Sequence, residues 1–274
     1  MRYREKLNRL LRSILKWILG RPRFDGRVRA YLTLRCNLRC DFCVNNYVDG
    51  GRKLREYQLL SPEQWIYIFN TLNRDIVITG GEPFLYAGLS EVVSGVNPKL
   101  DITIYSNMMV PLKGDLSWLR RKRLRMYLSY HPSYGDDTVF VENIRKLEQS
   151  NVSFTIHAID VVGREKLEKM CSERLAGLEL PIVIDEDQRT LFESSSKKFR
   201  KRVKCERSII LVAPDGYRYQ CVSRMVRRIA PFENLLTEPF SGEHRVVQCG
   251  DYGYCAPCDG LGKTKQTIIA AQKE

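Results

Sequence analysis

Three closely spaced cysteines are the residues of this chain that are best suited to chemistry. Cys36, Cys40 and Cys43 follow the pattern C-x3-C-x2-C, directly after an apolar, strand-like segment. Three thiols cannot all pair with one another as disulfides, and a tetrahedral zinc site would need a fourth ligand. Three soft sulfur ligands instead suit a cubane iron–sulfur cluster in which one iron has no protein ligand. The spacing therefore predicts a reactive metal centre, with zinc binding as the alternative.

A glycine-rich motif ends the next apolar segment. Its sequence is Thr-Gly-Gly-Glu-Pro, at residues 79–83. By itself this motif could be only a glycine turn before a helix. Together with the cysteine motif, it resembles the radical S-adenosylmethionine (radical SAM) enzymes. The resemblance implies that the three cysteines hold a [4Fe–4S] cluster and that its open iron binds SAM. One electron then cleaves SAM to a 5′-deoxyadenosyl radical, which abstracts a hydrogen atom from a substrate.

The resemblance also implies which residues hold SAM. Phe42 matches an aromatic position near the adenine, and residues 80–83 match the motif that meets the SAM amino group. Ser106 and Asn107 resemble a polar pair that helps to hold the same cofactor. The expected cofactor-binding residues are therefore Phe42, Gly80, Gly81, Glu82, Pro83, Ser106 and Asn107.

Alternating strand and helix patterns position these motifs. Strands are predicted at residues 28–34, 75–79, 101–105, 124–130, 152–157 and 178–184. Helices are predicted at residues 62–72, 89–96, 116–120, 137–149 and 164–175. Six β/α repeats indicate an α/β fold with a parallel sheet. Periodicity does not distinguish a flat, doubly wound sheet from a barrel, but the resemblance implies a partial (β/α)6 TIM-type barrel.

Polar residues are expected at the carboxyl ends of these strands, where barrels of parallel strands carry their chemistry. His131, His157, Asp160 and Glu186 are candidates, by position only, for a general base. Each of the two histidines could instead be a hydrogen-bonded structural residue.

Five further cysteines follow residue 195 and predict a second metal centre. A β-hairpin is expected at residues 208–221, because Asp-Gly lies between two β-rich runs. The spacing of Cys205, Gly216 and Cys221 resembles the opening of the SPASM and twitch extensions of radical SAM enzymes. The shorter twitch form, a small α+β domain with one auxiliary [4Fe–4S] cluster, fits the five cysteines better. Its expected ligands are Cys205, Cys221, Cys255 and Cys258.

Two alternatives stay open at this second centre. Four thiolates suit zinc equally well. Cys249 is a substitute ligand, a catalytic hydrogen-atom donor or a buried thiol.

The first residues of the chain predict an amphipathic helix. An apolar stripe over residues 1–20 is formed by Leu7, Leu10, Leu11, Ile14, Leu15, Ile18 and Leu19. The helix is expected to pack on the outside or base of the main domain, or else to contact a membrane surface or a partner. The predicted organisation is therefore an N-terminal helix (1–22), a radical SAM core (23–195) and an auxiliary-cluster domain (196–274).

Composition restricts the surroundings and partners of the protein. The 274 residues carry a formal net charge of +13. This charge favours acidic partners, although basic runs at residues 120–125 and 197–204 are explained as simply by solvated helix faces. No signal peptide or membrane-spanning run is found, and metal-type cysteine spacings indicate a reducing compartment, so a cytoplasmic location is expected. No nucleic-acid partner is expected.

In size and layout the chain resembles small twitch-type radical SAM enzymes such as aminocyclitol dehydrogenases, and this resemblance implies an oxidoreductase. It would take hydrogen from a small polar substrate, sugar- or aminocyclitol-like, or from a peptide side chain, and oxidise the substrate radical through the auxiliary cluster. A flavodoxin- or ferredoxin-type donor would supply the initial electron. The alternatives are a redox-neutral epimerase that uses Cys249, a maturase that modifies a ribosomal peptide, and a structural or zinc-binding basic protein that binds nucleic acid and has no enzymatic activity.

Overall fold

The computed structural model describes residues 26–43, 57–178, 180–186, 201–207, 209–242, 245–252 and 264–268. The predicted N-terminal helix, Cys255, Cys258 and the side chain of Glu186 lie outside the described residues. In this part of the chain, no helix has the length and apolar character needed to cross a membrane.

Strands and helices alternate through the first two thirds of the chain. They are β1 (Val28–Tyr31), α1 (Pro62–Leu72), β2 (Ile76–Thr79), α2 (Leu89–Gly95), β3 (Ile102–Ser106), β4 (Leu124–Tyr130), α3 (Asp137–Gln149), β5 (Phe154–Asp160), α4 (Arg164–Arg174) and β6 (Ile182–Glu186). Short 3₁₀ turns occur at Pro83–Leu85 and Ser117–Arg120. The last elements are β7 (Lys201–Arg207), β8 (Ile210–Val212), β9 (Arg218–Tyr219), α5 (Val222–Arg227), β10 (Arg245–Tyr252) and β11 (Thr264–Ile268).

One largely parallel sheet organises the molecule. Over the described ranges it has eight strands, in the order β6-β5-β4-β3-β2-β1-β8-β9. Strands β1 to β6 are parallel neighbours in chain order, and β8 pairs with the free edge of β1, also in parallel. The predicted α/β class is confirmed, and the topology is consistent with a partial radical SAM barrel.

The helices begin where their capping signals lie. Ser61 accepts a hydrogen bond from the backbone N–H of Gln64, and the Gln64 side chain accepts one from the Ser61 N–H. This reciprocal pair satisfies two of the free N–H groups at the start of α1. Asp136 caps α3 in a similar way, through the N–H of Thr138 at 2.9 Å. Both helices have the predicted bounds.

The first strand ends at Tyr31, three residues before the predicted end at residue 34. The reason is a change of hydrogen-bond partner. The carbonyls of Thr33 and Arg35 accept from the N–H groups of Gly81 and Glu82, at 2.9 and 2.7 Å. The chain thereby leaves the regular ladder and joins the cysteine segment to the glycine-rich segment.

Two further strands have bounds that differ from the prediction, and one short helix is of a different type. Strand β5 runs to Asp160 instead of ending at residue 157. Strand β6 begins at Ile182 instead of 178, because the Leu178 N–H donates to the Leu175 carbonyl and closes a turn after α4. The predicted short helix at 116–120 is a 3₁₀ turn.

The predicted hairpin is present as β8 and β9, which pair antiparallel. Gly216 supplies the positive φ (84°) that its turn requires, and its N–H donates to the Ala213 carbonyl. The hairpin extends the main sheet through the register pairs Val28↔Ile210 and Ala30↔Val212. The sheet thus includes strands from both sides of residue 195, and the domain boundary there stays a prediction.

The two faces of the sheet differ in chemistry. Alternate residues, such as Ile76, Ile78, Ile102 and Ile104, pack against helices in one large apolar core. The intervening residues lie on the opposite face, which we call the inner face; they are Arg29, Tyr31, Val77, Thr79, Thr103, Tyr105, Arg125, Tyr127, Ser129, Thr155, His157, Ile159, Val183, Asp185 and Leu211. The inner face therefore carries aromatic, basic and acidic side chains.

Candidate active site

The cysteine loop begins directly after β1. Its end is a tight turn in which the Cys43 N–H donates to the Cys40 carbonyl at 3.0 Å. The Cys36 sulfur accepts hydrogen bonds from the Leu38 N–H (3.4 Å) and from the Asn107 amide (3.6 Å). Such N–H···S contacts stabilise a thiolate and tune a bound cluster. These two contacts favour the ionised form of the Cys36 sulfur, which is the form that binds a metal.

The three thiols of this loop also interact with one another electrostatically. Burial raises the pKa of Cys36 to about 11, and the nearby Cys43 contributes. Burial, followed by the charges of Cys43 and Cys36, raises the pKa of Cys40 to about 12. Ionising neighbouring thiols in a partly buried loop requires a compensating positive charge, which the iron ions of a cluster would supply. The donor set therefore fits a sulfur-ligated cluster.

The sulfur atoms of Cys36, Cys40 and Cys43 are near one another, but they are not arranged as the ligands of one metal site. Among the described residues, no group of three His, Cys, Asp or Glu side chains is arranged to hold a metal ion. Side-chain rotation in the loop would be needed to direct the three sulfurs to one cluster. The sulfur-only chemistry of the loop, rather than preformed geometry, supports the assignment of Cys36, Cys40 and Cys43 as metal ligands.

The two glycines of the 79–83 motif allow its backbone to contact the cysteine segment. Gly80 has a φ of +141°, and a Cβ on it would lie 2.3 Å from the Thr33 carbonyl oxygen. A Cβ on Gly81 would lie 2.0 Å from the carbonyl oxygen of Arg35. Any side chain at either position would push the two segments apart. The glycines thus keep the residue that follows them, Glu82, beside the cysteine loop.

Glu82 is a fully buried carboxylate at the carboxyl end of β2. One carboxylate oxygen accepts from the Phe84 N–H (3.0 Å) and the Ser106 hydroxyl (2.8 Å), and the other accepts from the Asn107 N–H (2.8 Å). Burial raises the pKa of Glu82 to about 7, although all three hydrogen bonds lower it. The carboxyl group is thus held in place between β2 and β3. Because its pKa is close to 7, a cationic ligand nearby would favour its ionised form.

Asn107 connects this carboxylate to the cysteines. Its side-chain amide donates to the Asn37 side-chain oxygen at 2.9 Å, besides its contact with the Cys36 sulfur. The Asn37 amide in turn donates to the Met109 carbonyl at 2.9 Å. A continuous chain of hydrogen bonds therefore runs from Glu82 through Asn107 to the cysteine loop.

Phe42 lies against the residues that follow β4. Its ring centroid is 5.3 Å from that of His131 and 5.8 Å from that of Tyr134. Burial lowers the pKa of His131 to about 4, so its ring is neutral at physiological pH. His131 thus has an aromatic packing contact, and its assignment as a general base stays a prediction.

A row of polar and aromatic side chains crosses the inner face from β3 to β6. Tyr105 and Tyr127 stack with centroids 5.0 Å apart, and Tyr127 lies 5.2 Å from His157. The Nδ1 atom of His157 is 2.9 Å from an Asp185 carboxylate oxygen, and its Nε2 atom is 3.1 Å from the Thr155 hydroxyl. His157 therefore has the histidine–carboxylate pairing of many general bases.

Sequence reasoning missed the two tyrosines and the pairing of Asp185 with His157. The alternation of inward and outward residues along each predicted strand was the signal that could have found them. Of the other candidates, Asp160 accepts the Gly163 N–H at 2.9 Å and so stabilises the loop before α4. Its catalytic role, like that of Glu186, stays a prediction.

The second cysteine group involves a smaller antiparallel sheet with the order β10-β7-β11. Cys205 of β7 is paired in register with Val247, so Cys249 of β10 is its diagonal neighbour on the same face. Cys221, at the start of α5, and Cys249 both act electrostatically on Cys205, whose pKa is raised mainly by burial. The Gln220 amide donates to the Cys205 sulfur at 3.7 Å. Three thiols thus gather in the C-terminal region, and the zinc alternative stays open.

Comparisons with known proteins agree with this geometry. Residues 31–161 match the model of the radical SAM superfamily. A GTP 3′,8-cyclase of Aquifex aeolicus (strain VF5) is 37% identical over 115 residues, which cover 38% of this chain and 34% of that protein. A 7-carboxy-7-deazaguanine synthase of Clostridium acetobutylicum is 25% identical over 120 residues, 43% of this chain and 53% of that one. The chain thus spans only about a third to a half of the length of these curated relatives.

Solved structures share the fold over a longer stretch. SuiB of Streptococcus suis, bound to its precursor peptide SuiA, superposes with a TM-score of 0.57 at 12% identity, over 78% of this chain and 63% of that chain. The protein anSMEcpe with bound AdoMet gives a TM-score of 0.54 at 14% identity, over 77% of this chain and 78% of that one. The family implies a [4Fe–4S] cluster and SAM as cofactors. Residues 31–161, which include the cysteine loop and the buried Glu82, thus match the radical SAM superfamily model.

Proposed function

We propose that this chain is an oxidoreductase that cleaves SAM reductively and removes hydrogen from a small polar substrate. The observation that carries the proposal is the hydrogen-bond chain from Glu82 through Asn107 to Cys36. It joins residues after β1, β2 and β3 into one site at the carboxyl edge of the sheet. When bound, a [4Fe–4S] cluster on Cys36, Cys40 and Cys43 would supply the electron that cleaves SAM.

The residues around the cysteine loop would position SAM. Glu82 offers a buried carboxylate that is suited to an ammonium group, and a bound cation would keep it ionised despite its raised pKa. Ser106 fixes this carboxylate by donating to it at 2.8 Å. Phe42, packed on His131, offers an aromatic surface for the adenine.

The substrate would lie on the inner face, beside the row that ends in His157 and Asp185. Loss of a hydrogen atom from a C–H bond leaves a substrate radical. A two-electron oxidation then requires the loss of one more electron and one proton. His157 would accept the proton, while Asp185 holds its ring and stabilises the imidazolium. Tyr127 would pack against the substrate from the other side of His157.

The remaining electron would pass to a second centre held by Cys205 and Cys221, together with Cys255 and Cys258. The proximity of Cys205, Cys221 and Cys249 supports a sulfur-ligated metal in the C-terminal region. With cubanes at both centres, about eight irons per chain are expected. A reduced protein such as a ferredoxin or flavodoxin would supply electrons to the first centre.

Anaerobic reconstitution with iron, sulfide, SAM and a reductant tests the proposal. We expect 5′-deoxyadenosine from the wild type and none from a variant in which Cys36, Cys40 and Cys43 are all alanine. Cys171→Ala is the matched control, because this buried cysteine lies in α4, away from both groups. A colourless protein that binds zinc and leaves SAM intact would refute the proposal.

Product analysis separates oxidation from the alternatives. A product that has lost two hydrogen atoms supports oxidation, whereas an isomer of unchanged mass supports epimerisation. If the protein instead modifies a short precursor peptide, the maturase hypothesis is supported; SuiB, which shares the fold, was solved with its precursor peptide SuiA.

A further inference from the structure

We infer that Arg29 and Arg207 form a binding subsite for an oxyanion group of the substrate, a phosphate or a carboxylate. Arg29 lies on the inner face in β1, and Arg207 is the last residue of β7 in the smaller sheet. This inference rests on the proposed function and adds to it that the substrate carries a negatively charged group.

The first observation is the lack of partners for two half-buried cations. The Nε atoms of Arg29 and Arg207 are both buried without a hydrogen-bond partner. Neither guanidinium forms an ion pair with any carboxylate in the part of the chain that the structure describes. Buried polar groups without partners cost free energy, so a site that keeps two of them suits a ligand that pairs with both.

The second observation is that both arginines lie near one hydroxyl. Arg29 is the register partner of Leu211 in β8, and Arg207 ends the strand just before β8. Both charges act on Tyr31. Tyr31 is two residues from Arg29 on the same face of β1 and is buried. Burial raises its pKa, and the positive charges of Arg29 and Arg207 are the main opposing influences. Two planar forks and a hydroxyl donor match the acceptors of a phosphate or carboxylate group. An anion bound by both guanidinium groups would compensate the two positive charges.

The third observation is where this cluster lies. Cys43 of the first cysteine group and Cys221 of the second both act electrostatically on the Tyr31 hydroxyl. An anion bound at this hydroxyl would therefore be near enough to both cysteine groups to interact with their charges. The rest of the substrate would extend over the inner face, within reach of the chemistry proposed for both centres. The overall charge of +13 favours the approach of such a ligand.

Equilibrium binding to the reconstituted full-length protein tests the subsite. The probes are inorganic phosphate, inorganic pyrophosphate and acetate, titrated calorimetrically at an ionic strength of about 0.15 M, which screens exposed charges. Arg29→Gln and Arg207→Gln should each weaken the tightest probe by about tenfold or more, the effect of losing a charge-assisted contact. Arg125→Gln, which removes an exposed charge from the inner face at β4, should change affinity less than about twofold. Preference for phosphate or for acetate identifies the oxyanion.

Arg29→Lys and Arg207→Lys guard against misfolding, since lysine keeps the charge but loses the planar fork. They should retain wild-type iron content and still bind the probe more weakly. Unchanged affinity in the glutamine variants overturns the subsite. Weaker binding that is accompanied by a loss of iron also overturns it, because the arginines would then act by neutralising thiolates. The binding test does not require turnover. If the wild type forms no 5′-deoxyadenosine but binds the probe in a way that depends on Arg29, the proposed function is refuted and the subsite stands.

Discussion

Replacing Glu82 with glutamine should destabilise the protein by about 2 kcal/mol at about pH 5 and by much less at about pH 8. The carboxyl group accepts three hydrogen bonds, two on one oxygen and one on the other. At about pH 5 the group is protonated, because its pKa is raised to about 7, and its hydroxyl oxygen can still accept through a lone pair. Glutamine keeps one acceptor oxygen but turns an amide N–H₂ toward a backbone donor that it cannot satisfy. One lost hydrogen bond and one unsatisfied buried N–H together cost about 2 kcal/mol.

The pH dependence follows from the raised pKa of Glu82. Its pKa is about 7 in the folded protein, against an ordinary value of 4.5. The folded state therefore holds the proton more tightly, and the resulting stability is complete below about pH 4.5 and is lost as the pH rises through about 7. Between about pH 4.5 and about pH 7 the free energy of unfolding of the wild type falls by up to about 3 kcal/mol. The glutamine variant does not show this fall, because glutamine does not titrate. The variant should thus approach or exceed the wild type in stability at about pH 8.

Urea unfolding across this pH range, at matched iron content, measures the difference. Glu91→Gln is the control, because Glu91 is exposed in the first turn of α2. It should change stability by less than about 0.5 kcal/mol at any pH. Parallel pH curves for the wild type and the Glu82 variant would refute the argument that burial controls this carboxyl group.

Three further predictions concern the loop, the thiols and the inner face. Gly81→Ala should cost more than about 2 kcal/mol in unfolding experiments, because its Cβ would meet the Arg35 carbonyl; Gly250→Ala, with open space around it, should cost less than about 1 kcal/mol. Cys36→Ser should reduce bound iron by about four per chain, seen as a loss of visible absorbance, if this thiol ligates a cubane. Asp185→Asn should lower the rate of substrate oxidation by about tenfold or more, because His157 loses its orienting carboxylate, while 5′-deoxyadenosine still forms. If the rate and its pH profile are unchanged, His157 is not the group that accepts the proton.

Local signals made part of this fold predictable. Helix α1 begins at Pro62, where Ser61 and Gln64 form a reciprocal cap, and the sequence places both residues three positions apart. The glycine motif and the cysteine loop were both expected to belong to one SAM site, and the structure places them side by side through the contacts of Gly81 and Glu82 with the Thr33 and Arg35 carbonyls. Such features depend on neighbours within a few residues, or on a motif that specifies one backbone path.

Features that depend on strand register could not be predicted. Tyr105 and Tyr127 stack because they are register partners on β3 and β4. His157 reaches Asp185 only because β5 and β6 align as they do. Alternation assigns each residue to a face but does not align one strand with the next. The pairing of β8 with β1, across about 180 residues of sequence, is equally invisible to local patterns.

The location of Cys249 bears on the choice between oxidation and epimerisation. A hydrogen-atom donor must reach the substrate carbon, and the proposed substrate site is the inner face near Tyr127 and His157. Cys249 instead lies on the smaller sheet, diagonal to Cys205 and close enough to affect its ionisation. A thiol in this position is suited to ligate the second centre or to pack beside it. This placement agrees with a role for Cys249 at the centre that accepts the electron in the oxidative proposal, because that centre would need sulfur ligands close to Cys205.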